Sequence, residues 1–214
     1  AAIDIPCDIL DADGTPDDAV PDEATDVSFD GEAVERVAAV LESARRPLIW
    51  AGGGVVRSGG FAALARLAER LDAPVFSTVL GKGALPADHP LSAGEGLLHP
   101  AAVEMRTECD VMLAVGTGFG QLETVNWRLP MPPTLIQVDV DPGAIGLNYP
   151  VQDSIVGDAR MVLEALCETV SGRQPVMAGE VAAMRSELRR QSIERCRHVV
   201  DLLDAVRSGA PRET

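Results

Sequence analysis

Short runs of apolar residues alternate along the chain with segments in which apolar residues recur every three to four positions, a pattern that predicts strands and helices in turn. The predicted strands span residues 48–51, 74–78, 110–115, 134–140 and 154–156. The predicted helices span residues 30–46, 61–71, 100–108, 160–170 and 179–208. Near-continuous apolar strands separated by helices indicate a parallel sheet covered on both faces. With right-handed crossovers, the sequence therefore predicts a doubly wound, Rossmann-like α/β domain.

Three consecutive glycines, Gly52, Gly53 and Gly54, follow the first apolar run. Glycine allows a sharp turn or a close approach of the backbone to another group. A turn between strand and helix in such a sheet is also where phosphates bind, although the spacing differs from the G-x-G-x-x-G pattern of dinucleotide-binding domains. Two interpretations stay open here, a tight structural turn and a contact with nucleotide phosphates. Ser58 is predicted to cap the helix that starts at Phe61.

Acidic residues follow two later strands. Asp139 and Asp141 lie before Pro142, where they could cap a turn or face a ligand. Asp158 precedes the helix 160–170, so we expect it to be an N-cap, with a ligand role as the alternative. Gly172 is predicted to end that helix.

Residues 79–96 form a loop punctuated by glycine and proline, and it carries Lys82 and His89. Lysine side chains are mostly solvated, so the simplest interpretation of Lys82 is a surface residue, with a role across a subunit boundary as the alternative. His89 is interpreted as a loop residue because no carboxylate–histidine–nucleophile set can be assembled from the sequence. No catalytic residue is predicted.

The composition limits the classes of partner. The net charge is −15 and aromatic residues make up 3 % of the chain, which argues against nucleic acid and anionic membranes as partners. No apolar run approaches the ~18 residues of a membrane span, and no signal sequence opens the chain. The four cysteines (Cys7, Cys109, Cys167 and Cys196) and the three histidines are scattered, so no metal site is predicted. We expect the cysteines to be small buried side chains and the compartment to be a reducing cytoplasm.

Both ends of the chain suggest that it belongs to a larger protein. Residues 2–10 alternate like a strand but follow no earlier element, and residues 11–26 have the acidic composition of a linker. An apolar group at residues 199–206 would need a partner to cover it.

Five stretches in order resemble one known family: RPLIWAGGGV (46–55), TVLGKG with DHP (78–83 and 88–90), DVMLAVG (110–116), IQVDVDP (136–142) and IVGDA (155–159). They resemble the central domain of thiamine-diphosphate-dependent enzymes of the acetolactate synthase, pyruvate oxidase and benzoylformate decarboxylase type. This domain has a Rossmann-like fold of the kind that binds NAD or FAD in other proteins. The resemblance extends outward to both ends of the chain.

The resemblance implies three parts. Residues 1–27 would be the end of the pyrimidine-binding domain plus an acidic linker, residues 28–172 the central domain, and residues 173–214 a linker and the first helix of the pyrophosphate-binding domain. The cofactor sites for thiamine diphosphate and Mg²⁺ would then lie outside this chain, in the missing domains of the same protein. Residues 157–159 (Gly-Asp-Ala) are not the metal-diphosphate motif, since no matching asparagine follows. The chain alone is expected to be inert, as the spacer of a homo-oligomeric enzyme (dimer or tetramer) that decarboxylates or ligates 2-keto acids.

In some family members the central domain binds FAD or ADP. The positions that match are Gly52, Gly53 and Gly54 near the diphosphate, Thr78 and Leu80 beside it, Asp139 and Val140 at the ribose or adenine, and Asp158 and Ala159 near the adenine; Gly116 is also assigned to the cofactor site. FAD-binding members carry arginines in the loop after the glycine at position 116. Here no arginine follows before Arg128, which disfavours a nucleotide. A free-standing FAD- or ADP-binding module is the alternative interpretation of the whole chain.

Overall fold

The computed structural model describes residues 29–95 and 99–195, together with residues 197, 199 and 201. The helices are α1 (Gly31–Ser43), α2 (Gly53–Ser58), α3 (Phe61–Leu71), α4 (Pro100–Thr107), α5 (Ala159–Thr169) and α6 (Met177–Arg195). The strands are β1 (Pro47–Ala51), β2 (Val75–Ser77), β3 (Ser92–Gly94), β4 (Val111–Val115), β5 (Thr134–Asp139) and β6 (Asp153–Val156). The predicted strand 2–10, the linker 11–26 and most of the apolar group 199–206 lie outside the described residues.

The six strands form one parallel sheet in the order β3-β2-β1-β4-β5-β6. This is the 3-2-1-4-5-6 order of the doubly wound dinucleotide-binding fold, and it confirms the predicted fold class. The strands β2 and β3 extend the sheet on one side of β1, and β4, β5 and β6 extend it on the other side, so the strand order switches between β1 and β4. In open parallel sheets, ligands bind outside the carboxyl ends of the strands at such a switch point.

Helices cover both faces of the sheet. On β1, Ile49 and Ala51 point to the face packed by α1, α3 and α5, while Leu48 and Trp50 point to the face packed by α4 and α6. All four side chains are fully buried. A central strand that is buried on both sides accounts for the continuous apolar run in the sequence.

The predicted N-cap of α5 is confirmed, since the Asp158 carboxylate accepts from the Met161 amide at 3.1 Å. The Asp30 carboxylate accepts from the Glu32 amide at 2.9 Å and caps α1, a cap that was not predicted. Pro100 lies in the first turn of α4, as expected for a residue without an amide proton.

Two predicted helix ends are wrong. Ser58 is the last residue of α2 instead of the cap of α3, and its hydroxyl donates to the Val55 carbonyl. Gly60 precedes α3 and makes no side-chain cap. Gly172 does not end α5, because the helix stops at Thr169 and Val170 is its C-cap. The predicted loop 79–96 also contains the short edge strand β3.

The N-terminus of α6 is capped by the side chain of Asp72, which precedes Val176 by 104 residues in the sequence. Asp72 follows α3 in a left-handed conformation (φ 47°), and its Oδ2 accepts from the amides of Val176 at 2.6 Å and Met177 at 2.9 Å. The Asp72 side chain thereby satisfies free amides at the N-terminus of α6. Met177, Val181 and Met184 are buried, so the first half of α6 packs on the domain.

A second contact holds the segment between α5 and α6. The Arg173 guanidinium donates to the carbonyl oxygens of Leu41, Glu42 and Ala44 at the end of α1, where helical carbonyls lack partners. The domain boundaries at residues 28 and 172 stay a prediction, but the segment that leaves α5 is bonded to the domain on both sides.

No helix in the described ranges is long and apolar enough to cross a membrane.

Asp72→Ala should lower the free energy of unfolding by about 2 kcal/mol, because the charged cap is lost and alanine tolerates φ 47° poorly. Thermal and urea unfolding would measure this. Asp72→Gly is the matched variant: it removes the same cap but adopts the left-handed backbone freely, so it should be less destabilising than alanine. An alanine variant as stable as the original chain would show that the cap contributes nothing.

Candidate functional site

The glycine turn after β1 lies directly against the loop after β4. A Cβ added to Gly52 would lie 2.2 Å from the Gly116 carbonyl oxygen, and one added to Gly54 would lie 2.6 Å from the Gly116 Cα. The Gly52 amide donates to the Val115 carbonyl at 2.8 Å and the Gly54 amide donates to the Gly116 carbonyl at 2.9 Å. The close approach therefore accounts for Gly52 and Gly54 without any ligand.

Two further glycines complete this contact. Gly116 has φ +61°, and its own Cβ would lie 2.5 Å from the Gly54 Cα. Gly81, after β2, would place a Cβ 2.1 Å from the Ala51 carbonyl oxygen. The loops after β1, β2 and β4 thus meet through their backbones at the switch point of the sheet.

Two cavities flank this backbone contact. The first, which we call the acidic cavity, has a volume of about 160 Å³ and lies at the ends of β5 and β6. Its lining residues are Gly54, Arg57, Ser58, Gly116, Asp139, Val140, Gly157, Asp158 and Ala159. The carboxylates of Asp139 and Asp158 can accept hydrogen bonds from hydroxyl or amine groups.

The second cavity, which we call the apolar cavity, has a volume of about 460 Å³ and lies at the ends of β1, β2 and β4. Its lining residues are Gly53, Arg57, Thr78, Val79, Leu80, Gly116, Thr117, Gly118, Gly120, Gln121, Leu122 and Glu123. The Val79, Leu80 and Leu122 side chains around it are 68 %, 72 % and 90 % exposed. Its volume is within the range of small-molecule sites.

The predicted site residues come together at this edge. All of them except Gly52 line one of the two cavities; they are Gly53, Gly54, Thr78, Leu80, Gly116, Asp139, Val140, Asp158 and Ala159. Gly52 is buried in the backbone contact with Gly116 and is not among the lining residues of either cavity.

The capping interpretations of the three aspartates are confirmed by hydrogen bonds, and their ligand roles stay a prediction. Asp139 Oδ1 accepts from the Asp141 amide at 3.1 Å, and Asp141 Oδ1 accepts from the Gly143 amide at 2.8 Å. Both residues therefore stabilise the turn before and at Pro142, and Asp158 caps α5. Asp139 and Asp158 line the acidic cavity in addition, whereas Asp141 does not.

Arg57 is the residue that sequence reasoning missed. It lies on α2 and lines both cavities, as Gly116 alone does among the other described residues. The sequence signal was present: in a helix that begins at Gly53, residue 57 lies one turn later on the same face. The segment was interpreted as a turn without helix, so this relationship was not seen.

The outer wall of the apolar cavity is an irregular loop after β4. Glu123 Oε1 accepts from the Val79 amide at 3.0 Å, which connects this loop to the one after β2. Val125, Asn126 and Trp127 are consecutive left-handed residues with φ of 53°, 56° and 57°. Such residues cost about 1–2 kcal/mol each, so the surrounding contacts must hold this turn in place.

Those contacts centre on a fully buried threonine. The Thr124 hydroxyl donates to the Gly120 carbonyl at 2.9 Å and accepts from the Trp127 amide at 3.1 Å. The Trp127 indole donates to the Phe119 carbonyl at 3.0 Å. These hydrogen bonds therefore hold the loop that forms the wall of the apolar cavity in one conformation.

The other candidate reactive groups have structural surroundings. Burial raises the pKa of the Cys109 thiol to about 11 and also raises the pKa of the Cys167 thiol, which agrees with the prediction of buried, unreactive cysteines. Cys7 and Cys196 lie outside the described residues. Lys82 is exposed and pairs with Glu95 at 3.0 Å, and His89 lies 3.2 Å from Glu69. The described residues contain no group of three or more side chains suited to a metal ion.

Comparison with known proteins gives a family match. The model of the family described as "Thiamine pyrophosphate enzyme, central domain" matches residues 34–166. A provisionally named 2-ketoarginine decarboxylase of Pseudomonas aeruginosa is 43 % identical over 162 residues, which are 74 % of this chain and 28 % of the relative. Sulfoacetaldehyde acetyltransferase of Roseovarius nubinhibens is 39 % identical over 65 % of this chain and 24 % of its own length. Acetolactate synthase isozyme 3 large subunit of Escherichia coli is 33 % identical over 64 % of this chain and 25 % of its own length.

Solved structures give the same match. A protein of Mycobacterium smegmatis, described provisionally as a thiamin diphosphate-dependent enzyme, has a TM-score of 0.59 at 30 % identity over 74 % of this chain and 31 % of its own. Benzoylformate decarboxylase of Polynucleobacter necessarius has a TM-score of 0.59 at 24 % identity over 78 % of this chain and 32 % of its own, a likeness of fold. The chain spans about a quarter of the length of the curated relatives it matches.

Gly116→Ala should destabilise the chain by about 3 kcal/mol or more, because the added methyl group overlaps the Gly54 backbone and alanine disfavours φ +61°. Gly118→Ala is the matched control two residues later, where an added Cβ meets nothing within 4 Å and should change stability by less than about 0.5 kcal/mol. Unfolding of both variants would measure the difference. Equal stabilities would contradict the proposed backbone contact.

Proposed function

Because the chain belongs to the central-domain family of thiamine pyrophosphate enzymes, we propose that it is the domain that spaces the two cofactor-binding domains of a larger enzyme. The observation that carries this proposal is the family match over residues 34–166 in relatives about four times longer than the matched segment. Two contacts support a rigid spacer. The Asp72 carboxylate holds the start of α6, and Arg173, in the segment before α6, donates to the end of α1.

The proposed parent enzyme acts on 2-keto acids by decarboxylation or carboligation. Thiamine diphosphate, held through Mg²⁺, would supply an electron sink for the carbanion that forms when a carboxylate leaves. We assign both groups to the pyrimidine- and pyrophosphate-binding domains of that larger enzyme. The proposed assembly is a homo-oligomer, a dimer or tetramer, in a reducing cytoplasm.

The proposal predicts that this chain alone does not turn over pyruvate in the presence of thiamine diphosphate and Mg²⁺. The longer polypeptide that contains it should consume pyruvate or a related 2-keto acid. Release of CO₂ and formation of a ligated product would be measured for both proteins. Turnover by the isolated chain would overturn the spacer role, and failure of the longer protein on a panel of 2-keto acids would overturn the proposed activity.

A second candidate function is the binding of an adenine nucleotide at the carboxyl edge of the sheet. The observation that favours it is that the two cavities adjoin at Arg57 and Gly116 and together contain the predicted positions other than Gly52. The donor set fits such a ligand: carboxylates of Asp139 and Asp158 for ribose hydroxyls or the adenine amine, and a guanidinium for phosphate. This proposal is independent of catalysis by the parent enzyme.

The test is calorimetric titration of the chain with ADP, for which we expect saturable binding at one site. Asp139→Ala should weaken ADP by about tenfold, because hydrogen bonds to a charged group are among the stronger ones. Asp141→Ala is the matched control, since Asp141 caps a turn two residues away without lining the acidic cavity. Absence of ADP binding, or equal loss in both variants, would contradict this candidate function.

A further inference from the structure

A groove of about 380 Å³ runs between the edge strand β3 and helix α6. Its polar and charged lining consists of Ser92, Glu95, Arg185, Arg189 and Ser192. The groove shares no lining residue with the acidic or the apolar cavity, and two arginines line it, against one in each of those cavities. We call it the basic groove.

The basic groove carries positive charge that the described residues do not neutralise. Arg185 Nη1 donates to the His89 carbonyl at 3.4 Å, a bond that places the guanidinium beside the groove and leaves its charge unpaired. Arg189, one turn later, is exposed and has no hydrogen-bond or ion-pair partner among the described residues. Glu95, the carboxylate of the lining, pairs with Lys82 at 3.0 Å. The groove is therefore a positive surface on a chain whose net charge is −15.

The neighbouring arginine on α6 shows the contrast. Arg190 Nη2 lies 2.6 Å from the Glu187 carboxylate, and its Nη1 lies 3.6 Å from the Glu194 carboxylate. Such pairs three and four residues apart are a common way to neutralise charge on a helix surface. The two arginines that line the groove have no such carboxylate within the described part of α6, so the groove is suited to a carboxylate from elsewhere.

The chain itself contains a segment of the complementary charge. Residues 11–26, which we call the acidic segment, carry seven Asp or Glu residues and no Lys or Arg. Four of the seven lie in its first half: Asp11, Asp13, Asp17 and Asp18. Guanidinium groups bind carboxylates through two parallel hydrogen bonds, and the hydroxyls of Ser92 and Ser192 can donate further ones.

The acidic segment is long enough to reach the groove. Phe29, where the described residues begin, lies at the carboxyl end of β6, since a Cβ added to Gly157 would lie 2.9 Å from the Phe29 Cβ. The groove lies at the carboxyl end of β3, where Gly94 and Glu95 line it. These are the two outer strands of the sheet, so their ends are ~24 Å apart at the usual strand spacing. The chain between Asp18 and Phe29 can span up to ~36 Å.

We propose that the acidic segment binds in the basic groove of its own chain, with carboxylates from the group Asp11–Asp18 paired to Arg185 and Arg189. The inference does not depend on the proposed function, because it concerns contacts within this chain. It adds that the segment preceding α1 lies against α6. The polypeptide that enters the domain and the helix that leaves it would then lie side by side.

The experiment is disulfide trapping in the full chain. Cys7→Ser and Cys196→Ser remove two thiols, whereas Cys109 and Cys167 are buried and their thiol pKa values are raised by burial. Thr15→Cys and Ser192→Cys then place one thiol among the acidic residues and one in the groove. Under oxidised glutathione this pair should form an intrachain disulfide, measured by mass spectrometry of the digested protein.

Ser186→Cys, combined with the same Thr15→Cys, is the matched control. Ser186 is exposed on the same helix but does not line the groove, and it lies about 120° from Ser192 around the helix axis. We expect the disulfide with position 192 to form about tenfold faster than that with position 186, because binding raises the effective concentration of the two thiols. Equal rates in the two proteins, both folded by thermal unfolding, would overturn the proposal.

Charge reversal tests the role of the arginines. Arg189→Glu should slow the disulfide with position 192 by about threefold or more, because an attractive pair becomes a repulsive one. Arg128→Glu is the matched control, since Arg128 is exposed, does not line the groove and changes the net charge equally. A loss in Arg128→Glu as large as in Arg189→Glu would overturn the pairing of the segment with the groove.

Salt and dilution complete the test. Sodium chloride at about 0.5 M should slow the disulfide with position 192 towards the rate of the control, because salt screens exposed charges. A rate that does not change with salt would overturn the electrostatic basis of the contact. Disulfide-linked dimers in place of the intrachain disulfide would overturn the assignment to the same chain and show that the segment binds a second copy.

Discussion

The contact between the glycine turn after β1 and the loop after β4 constrains the rest of this structure. These loops follow neighbouring strands at the switch point of the sheet, so their backbones lie in direct contact. They can do so only because Gly52, Gly54 and Gly116 lack side chains, so that the amides of Gly52 and Gly54 can donate to the carbonyls of Val115 and Gly116. The same contact divides the edge of the sheet into two cavities. A side chain at any of these positions would separate the loops and remove both the packing and the division.

The fold was largely predictable because its signals are local. Buried strands and caps such as Asp158 are specified by the residues themselves and their near neighbours. The misses depend on distant partners. Strand β3 is defined by its pairing with β2, and nothing in its own three residues distinguishes it from the surrounding loop. Ser58 was assigned to the wrong helix because α2 was not foreseen in a segment rich in glycine.

The site was predictable in its positions and less so in its chemistry. Strand ends identify where residues such as Asp139 lie, because all parallel strands place their carboxyl ends at one edge. Arg57 was not predicted to line the cavities, because its place there depends on the short helix α2 and on the direction of its side chain. The left-handed turn at Val125–Trp127 was not predicted, because β-branched and aromatic residues are typical of strands. The hydrogen bonds of the buried Thr124 hydroxyl hold this turn in place.

A glycine-rich turn in this fold therefore says little about whether a nucleotide binds. The amides of Gly52 and Gly54 already donate to the backbone of β4 and its loop, so these two donors are not free for phosphate. The same turn can be kept in domains that bind a nucleotide and in domains that bind none, since the packing requires it in both. Discrimination between the two must then come from side chains at the cavity walls. In this chain the positively charged residue among the described lining of the two cavities is Arg57, on the short helix that follows the turn directly.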